Sequence, residues 1–239
     1  MTYWAVAGIA LLGSFVQAAS GFGYALICMA LFPLLLPFRT ASIIEVVTAF
    51  VLVVYIAVRL RKSINFKLLL WPSLAAMCVS TFGVFALMAS TETLLRRILG
   101  GALICLSLYF HFFSSKLRLK PTRTSGIIAG MISGFCGGLL NIGGPPMVAY
   151  FLSVTDDKQE YNATLQCYFT ITTLYIFLLH FIMGNVTGEI LQLSGAALVG
   201  LGLGTLAGMR LFRRLSMSHI RKCVCVFMSI AGIYFIIIG

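Results

Sequence analysis

Eight long stretches of the chain carry no charged residue: 1–38, 46–58, 68–91, 98–115, 124–155, 161–188, 190–209 and 223–239. Within them the apolar residues recur with a helical period or fill the stretch uniformly. None alternates over the roughly ten-residue length of a barrel strand. A membrane span takes about 20 apolar residues, and a charge at the bilayer centre is costly. The pattern therefore predicts an all-α, polytopic membrane protein with about eight hydrophobic segments. The second of these opens near Ala41 and carries Glu45 inside it.

Two stretches are too long for one crossing. As continuous helices, 1–38 would reach about 57 Å and 124–155 about 48 Å, against a hydrocarbon core of about 30 Å. Both are interrupted by glycine and small polar residues. The first reads Ser20-Gly21-Phe22-Gly23, and the second runs from Ser133-Gly134 through Asn141-Ile142-Gly143-Gly144-Pro145-Pro146. Paired prolines after two glycines cannot continue a helix, because each lacks an N–H and crowds the preceding turn. Each stretch is predicted to be a Gly-rich broken helix or a re-entrant hairpin.

The two interrupted stretches open about 120 residues apart, which suggests a duplication. Leu94-Leu95-Arg96-Arg97 resembles His219-Ile220-Arg221-Lys222, and Gly83 and Gly208 precede these pairs at equal distance. Residues 1–113 and 124–239 thus read as two four-segment membrane repeats, joined by a basic linker over 114–123.

Composition sharpens this picture. The 239 residues are 60% hydrophobic and only 10% charged, with a mean hydropathy of +1.04. Those values exclude a soluble enzyme, a disordered tail and a secreted disulfide scaffold. The net charge of +11 would suggest nucleic acid in a soluble protein. Here the basic residues lie between apolar stretches, so they report topology and a lipid-bilayer partner instead. If all eight segments crossed, the two faces would carry 8 and 9 basic residues, which is no bias. If the two long stretches enter and leave on the same side, one face gathers the Arg59–Lys67, Lys116–Arg123 and Arg210–Lys222 clusters with Lys158. That face holds 14, and Arg39, Arg96 and Arg97 leave 3 opposite. The positive-inside rule then makes the 14-residue face cytoplasmic and puts both termini outside. Three crossings per half make the halves inverted, the plan of many secondary transporters in the cell membrane.

The seven cysteines all lie in apolar stretches without metal-type spacing, so they read as buried free thiols. No metal or cofactor is predicted. The N-terminal stretch lacks a basic leader and stays apolar past Ala18-Ala19-Ser20, so it reads as a mature membrane segment. There is no phosphate-binding Gly-x-x-x-x-Gly-Lys-Ser/Thr box, and none of the common hydrolase or metalloprotease motifs occurs. A transporter is therefore the main expectation, with an anion channel as the alternative and an intramembrane enzyme last.

Ser20-Gly21-Phe22-Gly23 followed by Pro33, and Gly138-Leu139-Leu140-Asn141-Ile142-Gly143-Gly144-Pro145-Pro146, resemble the paired motifs of the TauE/SafE family, the toluene-sulfonate uptake permease group. The basic Arg210–Lys222 stretch and the two-half plan extend the resemblance over essentially the whole chain. Tyr24 stands where the family often has another glycine, which narrows the first tip. The resemblance implies transport of sulfite, organosulfonates such as sulfoacetate, or related small organic anions.

The tips supply chemistry suited to such a ligand. Non-helical backbone at membrane depth must line a cavity or bind something, and helix N-termini attract anions. Gln17, Ser20, Gly21, Gly23 and Tyr24 in the first tip, with Asn141, Gly143, Gly144 and Pro145 in the second, are the candidate substrate-binding residues. The glycines equally suit helix packing. Glu45 is a candidate proton carrier or an interfacial partner of Arg39; Gln166, beside Asn162, is its approximate counterpart. His180 and His111 are candidate proton relays or packing residues. Alternating access would move the anion, with proton coupling through Glu45, and a homo-oligomer is compatible with all of this.

Overall fold

The computed structural model describes the backbone of residues 1–20, 23–112, 122–211 and 217–239, and the side chains of all of these except 19–20, 111–112, 211 and 217–222. Ten α-helices account for nearly all of the described residues: α1 (Thr2–Ser20), α2 (Tyr24–Leu35), α3 (Phe38–Arg59), α4 (Phe66–Ala89), α5 (Glu92–Phe112), α6 (Arg123–Leu140), α7 (Gly144–Val154), α8 (Lys158–Ile182), α9 (Gly188–Leu211) and α10 (Met217–Ile238). A 3-10 turn, Arg61–Ser63, precedes α4. Among the described residues, five helices are long and apolar enough to cross a membrane: α3, α4, α5, α8 and α9. Their outward surfaces carry large apolar side chains such as Phe82, Phe85, Val199, Leu203 and Leu206, while Ser14, Glu45, Ser80, Gln166 and Thr205 are buried. Buried polar side chains beneath an apolar outer surface are the arrangement of a multi-pass membrane protein.

Both overlong stretches break where the sequence predicts. The first becomes α1 and α2, about 28 Å and 18 Å long; the second becomes α6 and α7, about 27 Å and 16 Å. In each, the second helix returns along the first. Gln17 meets Tyr24, and farther from the tip a Cβ on Gly13 would sit 3.1 Å from the Cys28 sulfur. Ser133 meets Gly143, and farther back Gly126 faces the Tyr150 hydroxyl. These are helical hairpins.

The chain forms two compact units. One comprises Met1–Thr48, Ser90–Ser115 and Val186–Gly239; the other comprises Ala49–Ala89 and Lys116–Asn185. In the first, α1 packs on α9, α5 on α10, and α2 on α1. Gly200, Gly204 and Gly208 of α9 lie against the backbone carbonyls of Ala7, Leu11 and Phe15 of α1, so close that a Cβ on any of the three would overlap them. Glycines four apart form a smooth groove along one helix face, and without a hydrophobic force between spans, close van der Waals contact drives association. Gly100 and Gly232 perform the same service where α5 meets α10. There the Ser229 hydroxyl donates to Ser107 Oγ and the Ser107 hydroxyl to the Cys225 carbonyl, both at 2.8 Å.

In the second unit, α4 packs on α6 and α8, while α7 packs on α6 and α8. The groove now lies on α6, where Gly130, Gly134 and Gly138 meet the carbonyls of Pro72, Ala76 and Ser80. One contact occurs in both units. A Cβ on Gly83 would lie 2.7 Å from the Phe135 carbonyl oxygen, and one on Gly208 would lie 2.7 Å from that of Phe15. The α1–α9, α4–α6 and α5–α10 pairs each join a helix of 1–113 to one of 124–239.

Local signals set the helix ends of the second unit. The Thr122 side chain accepts from Ser125 N–H while Ser125 returns a bond to Thr122, closing the start of α6. Asp157 Oδ1 accepts from Glu160 N–H at 2.7 Å at the start of α8. Asp156, Asp157 and Glu160 read from sequence as a solvated loop. Instead Glu160 lies in the first turn of α8, where the helix dipole favours an acid, and its Oε1 accepts from Asn65 Nδ2 at 2.8 Å.

Candidate functional site

The first tip is held by α1. Gln17 is buried in that helix, and its Oε1 accepts the Tyr24 N–H at 2.9 Å, filling one donor that the start of α2 leaves without a helical partner. Gly23 precedes α2 at φ 118, a left-handed conformation that a side chain would strain, and its carbonyl accepts from Ile27 N–H. Tyr24 is fully buried, and its hydroxyl donates to Thr48 Oγ1 at 2.6 Å; Thr48 in turn donates to the Ile44 carbonyl at 2.7 Å. Glu45, only 3% exposed and one turn before Thr48 on α3, is within electrostatic range of Tyr24 and of the buried Cys28. Arg39 is exposed at the start of α3 and donates to the Ser90 carbonyl at 2.8 Å. Ser20 ends α1, but its side chain, together with Gly21 and Phe22, lies outside the described residues. The first unit thus brings Gln17, Gly23, Tyr24 and Glu45 together, and adds Thr48 and Cys28, which no sequence motif marks.

The second tip is built differently. Asn141 ends α6 at φ 60, the left-handed position that asparagine tolerates best after glycine, with its N–H on the Gly137 carbonyl. Gly143 precedes α7, and Gly144 opens it, followed at once by Pro145 and Pro146. Since prolines carry no N–H, the backbone donors of this first turn are those of Gly144 and Met147. No side chain of the Gly143 cap closes the turn. The Gly143 carbonyl is anchored instead: Ser133 of α6 donates to it at 2.5 Å, and the buried Tyr168 hydroxyl of α8 donates to Ser133 Oγ at 2.8 Å. A Cβ on Gly143 would press on the Ser133 carbonyl, whereas one on Gly144 would meet only Phe169 at 3.6 Å. Ser133 and Tyr168 escaped the motif reading. Ser133 lies in the quoted Gly-rich stretch, but Tyr168 comes from another helix and leaves no local signal.

Two of the remaining candidates lie on α8, Gln166 two residues before Tyr168 and His180 farther along. Gln166 is fully buried and donates through Nε2 to Asn162 Oδ1 at 3.3 Å. His180 is also fully buried, with Nδ1 3.3 Å from Asn185 Nδ2. It lies about 18 Å along α8 from Tyr168, so it belongs to the far end of that helix. Thr170 and Thr172 donate to the Gln166 and Tyr168 carbonyls of their own helix, the ordinary use of threonine in a span. The His111 side chain lies outside the described residues.

The family model of the sulfite exporter TauE/SafE matches residues 6–235. The chain belongs to the TauE/SafE family. The match takes in both hairpins and both packed glycine ladders, so the TauE/SafE assignment covers the whole helical architecture rather than one motif. It is a transporter family. No individual curated protein and no solved structure matches the chain.

Proposed function

We propose that this TauE/SafE protein is a secondary transporter that moves small sulfur-containing anions, sulfite or short sulfonates, across the cell membrane by alternating access. The observation that carries the reading is the family match over residues 6–235. The tips support an anionic cargo. The second hairpin opens α7 with Gly143 and Gly144, backbone with little bulk and a positive helix end, and no side-chain carboxylate caps it. Asn141 offers a side-chain amide beside it.

Glu45 is the proton carrier in this proposal. It is a carboxyl inside a span, 3% exposed, one turn before Thr48 on α3 and within electrostatic range of Tyr24 and Cys28, and an intramembrane carboxylate is a natural site for a carried proton. The face with the basic clusters is cytoplasmic, and both termini lie outside.

Proteoliposome flux of sulfite and sulfoacetate, with and without a pH gradient, tests the reading. Saturable flux is expected, accelerated by the gradient in the native chain and insensitive to it in Glu45→Gln. Single-channel currents far above carrier turnover would overturn alternating access. A cysteine appended after Gly239, in a chain whose other cysteines are replaced, should be labelled from outside only.

A further inference from the structure

The second unit holds a cleft of about 440 Å³ that none of the tip chemistry uses. It lies where α4 and α6 begin and α7 ends, bounded by Lys67 and Arg123 at the mouth and by Trp71, Leu70, Val154 and the Tyr150 ring along its walls. Lys67 and Arg123 are exposed, and the Arg123 guanidinium stands 5.9 Å from the centre of the Trp71 ring. Leu70 is 54% exposed and Trp71 42% exposed on the outer face of α4. In a chain that spans a bilayer, an indole with an arginine over it at the start of a span marks the headgroup level.

We propose that this cleft binds the headgroup of an anionic phospholipid, with Lys67 and Arg123 on the phosphodiester and an acyl chain along Leu70 and Trp71. Three features argue for lipid over a free anion. The walls are mostly apolar, the volume far exceeds that of sulfite or phosphate, and the Leu70–Trp71 side faces where acyl chains run. The charge is complementary: both ionisable side chains at the mouth are cations. The two helix starts beside it are already closed by the protein, α6 by Thr122 and α4 by Asn65 Oδ1, which accepts from Lys67 N–H and Leu68 N–H. The side-chain cations therefore carry the attraction. Basic pockets between spans are a recognised way to hold acidic headgroups.

The sequence has two tryptophans, so Trp4→Phe leaves Trp71 as the sole indole reporter. Phosphatidylcholine nanodiscs containing this variant would receive equal mole fractions of acyl-brominated phosphatidylglycerol or acyl-brominated phosphatidylcholine. Brominated phosphatidylglycerol should quench Trp71 more strongly. Lys67→Gln should lower the relative affinity about five-fold, and Lys67→Gln with Arg123→Gln on the order of 25-fold. Lys67→Arg should keep the preference, which separates charge from folding. Equal quenching by the two lipids, or a preference unchanged in the double variant, would overturn the proposal. So would relief of phosphatidylglycerol quenching by millimolar inorganic phosphate or sulfite beyond that of sodium chloride at equal ionic strength, since that assigns the cleft to a soluble anion. None of these readings depends on flux.

Discussion

In the first hairpin a side chain of the outgoing helix, Gln17, reaches the backbone donor of the returning one at Tyr24. In the second, the outgoing helix uses Ser133 to hold an acceptor, the Gly143 carbonyl, and α8 reinforces it through Tyr168. One tip is thus stapled through its N–H group and the other through its C=O group. The consequence is chemical. Filling a donor at the start of α2 subtracts from what that helix end can offer an anion. Anchoring a carbonyl at the start of α7 stiffens the turn, and the Gly143 cap sets no side chain of its own over the donors of Gly144 and Met147. A glycine at φ 118 permits the first turn, whereas an asparagine at φ 60 serves the second.

This contrast can be broken experimentally, most severely at Gly143. A side chain there meets the Ser133 carbonyl, so Gly143→Leu should lower anion flux on the order of 100-fold while the protein still inserts. Flux close to native in reconstituted vesicles would remove the second tip from the transport path. Next in size is Gln17→Leu, which leaves the buried Tyr24 N–H without its acceptor. The expected loss is about 1–3 kcal/mol in denaturant or thermal unfolding in detergent. An unchanged midpoint would mean that the staple is not what holds α2.

Smaller effects sharpen the comparison. Tyr168→Phe removes the outer bond of the hydroxyl chain and should cost about 1 kcal/mol, with Tyr24→Phe similar through loss of Thr48. If the second tip is the anion-facing one, only Tyr168→Phe should also weaken the apparent substrate affinity; equal effects on affinity from both would erase the distinction. Asn141→Gly is the mildest. Glycine accepts φ 60 freely, so stability should move by only a few tenths of a kcal/mol while flux falls if the amide touches the anion. A thermal midpoint and a flux assay on the same preparation separate these two roles.

Much was legible along the chain. The over-length apolar stretches, the glycine interruptions and the Pro145-Pro146 pair placed both breaks, because backbone sterics act over a few residues and leave a local record. The four-residue spacing of Gly126, Gly130, Gly134 and Gly138 and of Gly200, Gly204 and Gly208 also stands in the sequence, but no expectation rests on it, because packing and ligand approach both favour glycine. Only contact with Pro72, Ala76 and Ser80, or with Ala7, Leu11 and Phe15, shows which helices they serve.

By itself the sequence determined that this chain is an all-helical membrane protein whose two overlong apolar stretches must break, since length against bilayer thickness and the loss of a proline N–H are properties of the chain alone. Tertiary structure decided the partners: that α1 joins α9 and α4 joins α6, that Tyr168 secures Gly143 through Ser133, and that Tyr24 meets Thr48 beside Glu45. The reason is physical. A glycine groove fits any helix whose backbone can approach it, and a buried hydroxyl accepts any partner within reach. Which one it finds depends on how distant segments pack, and no single stretch of sequence carries that information.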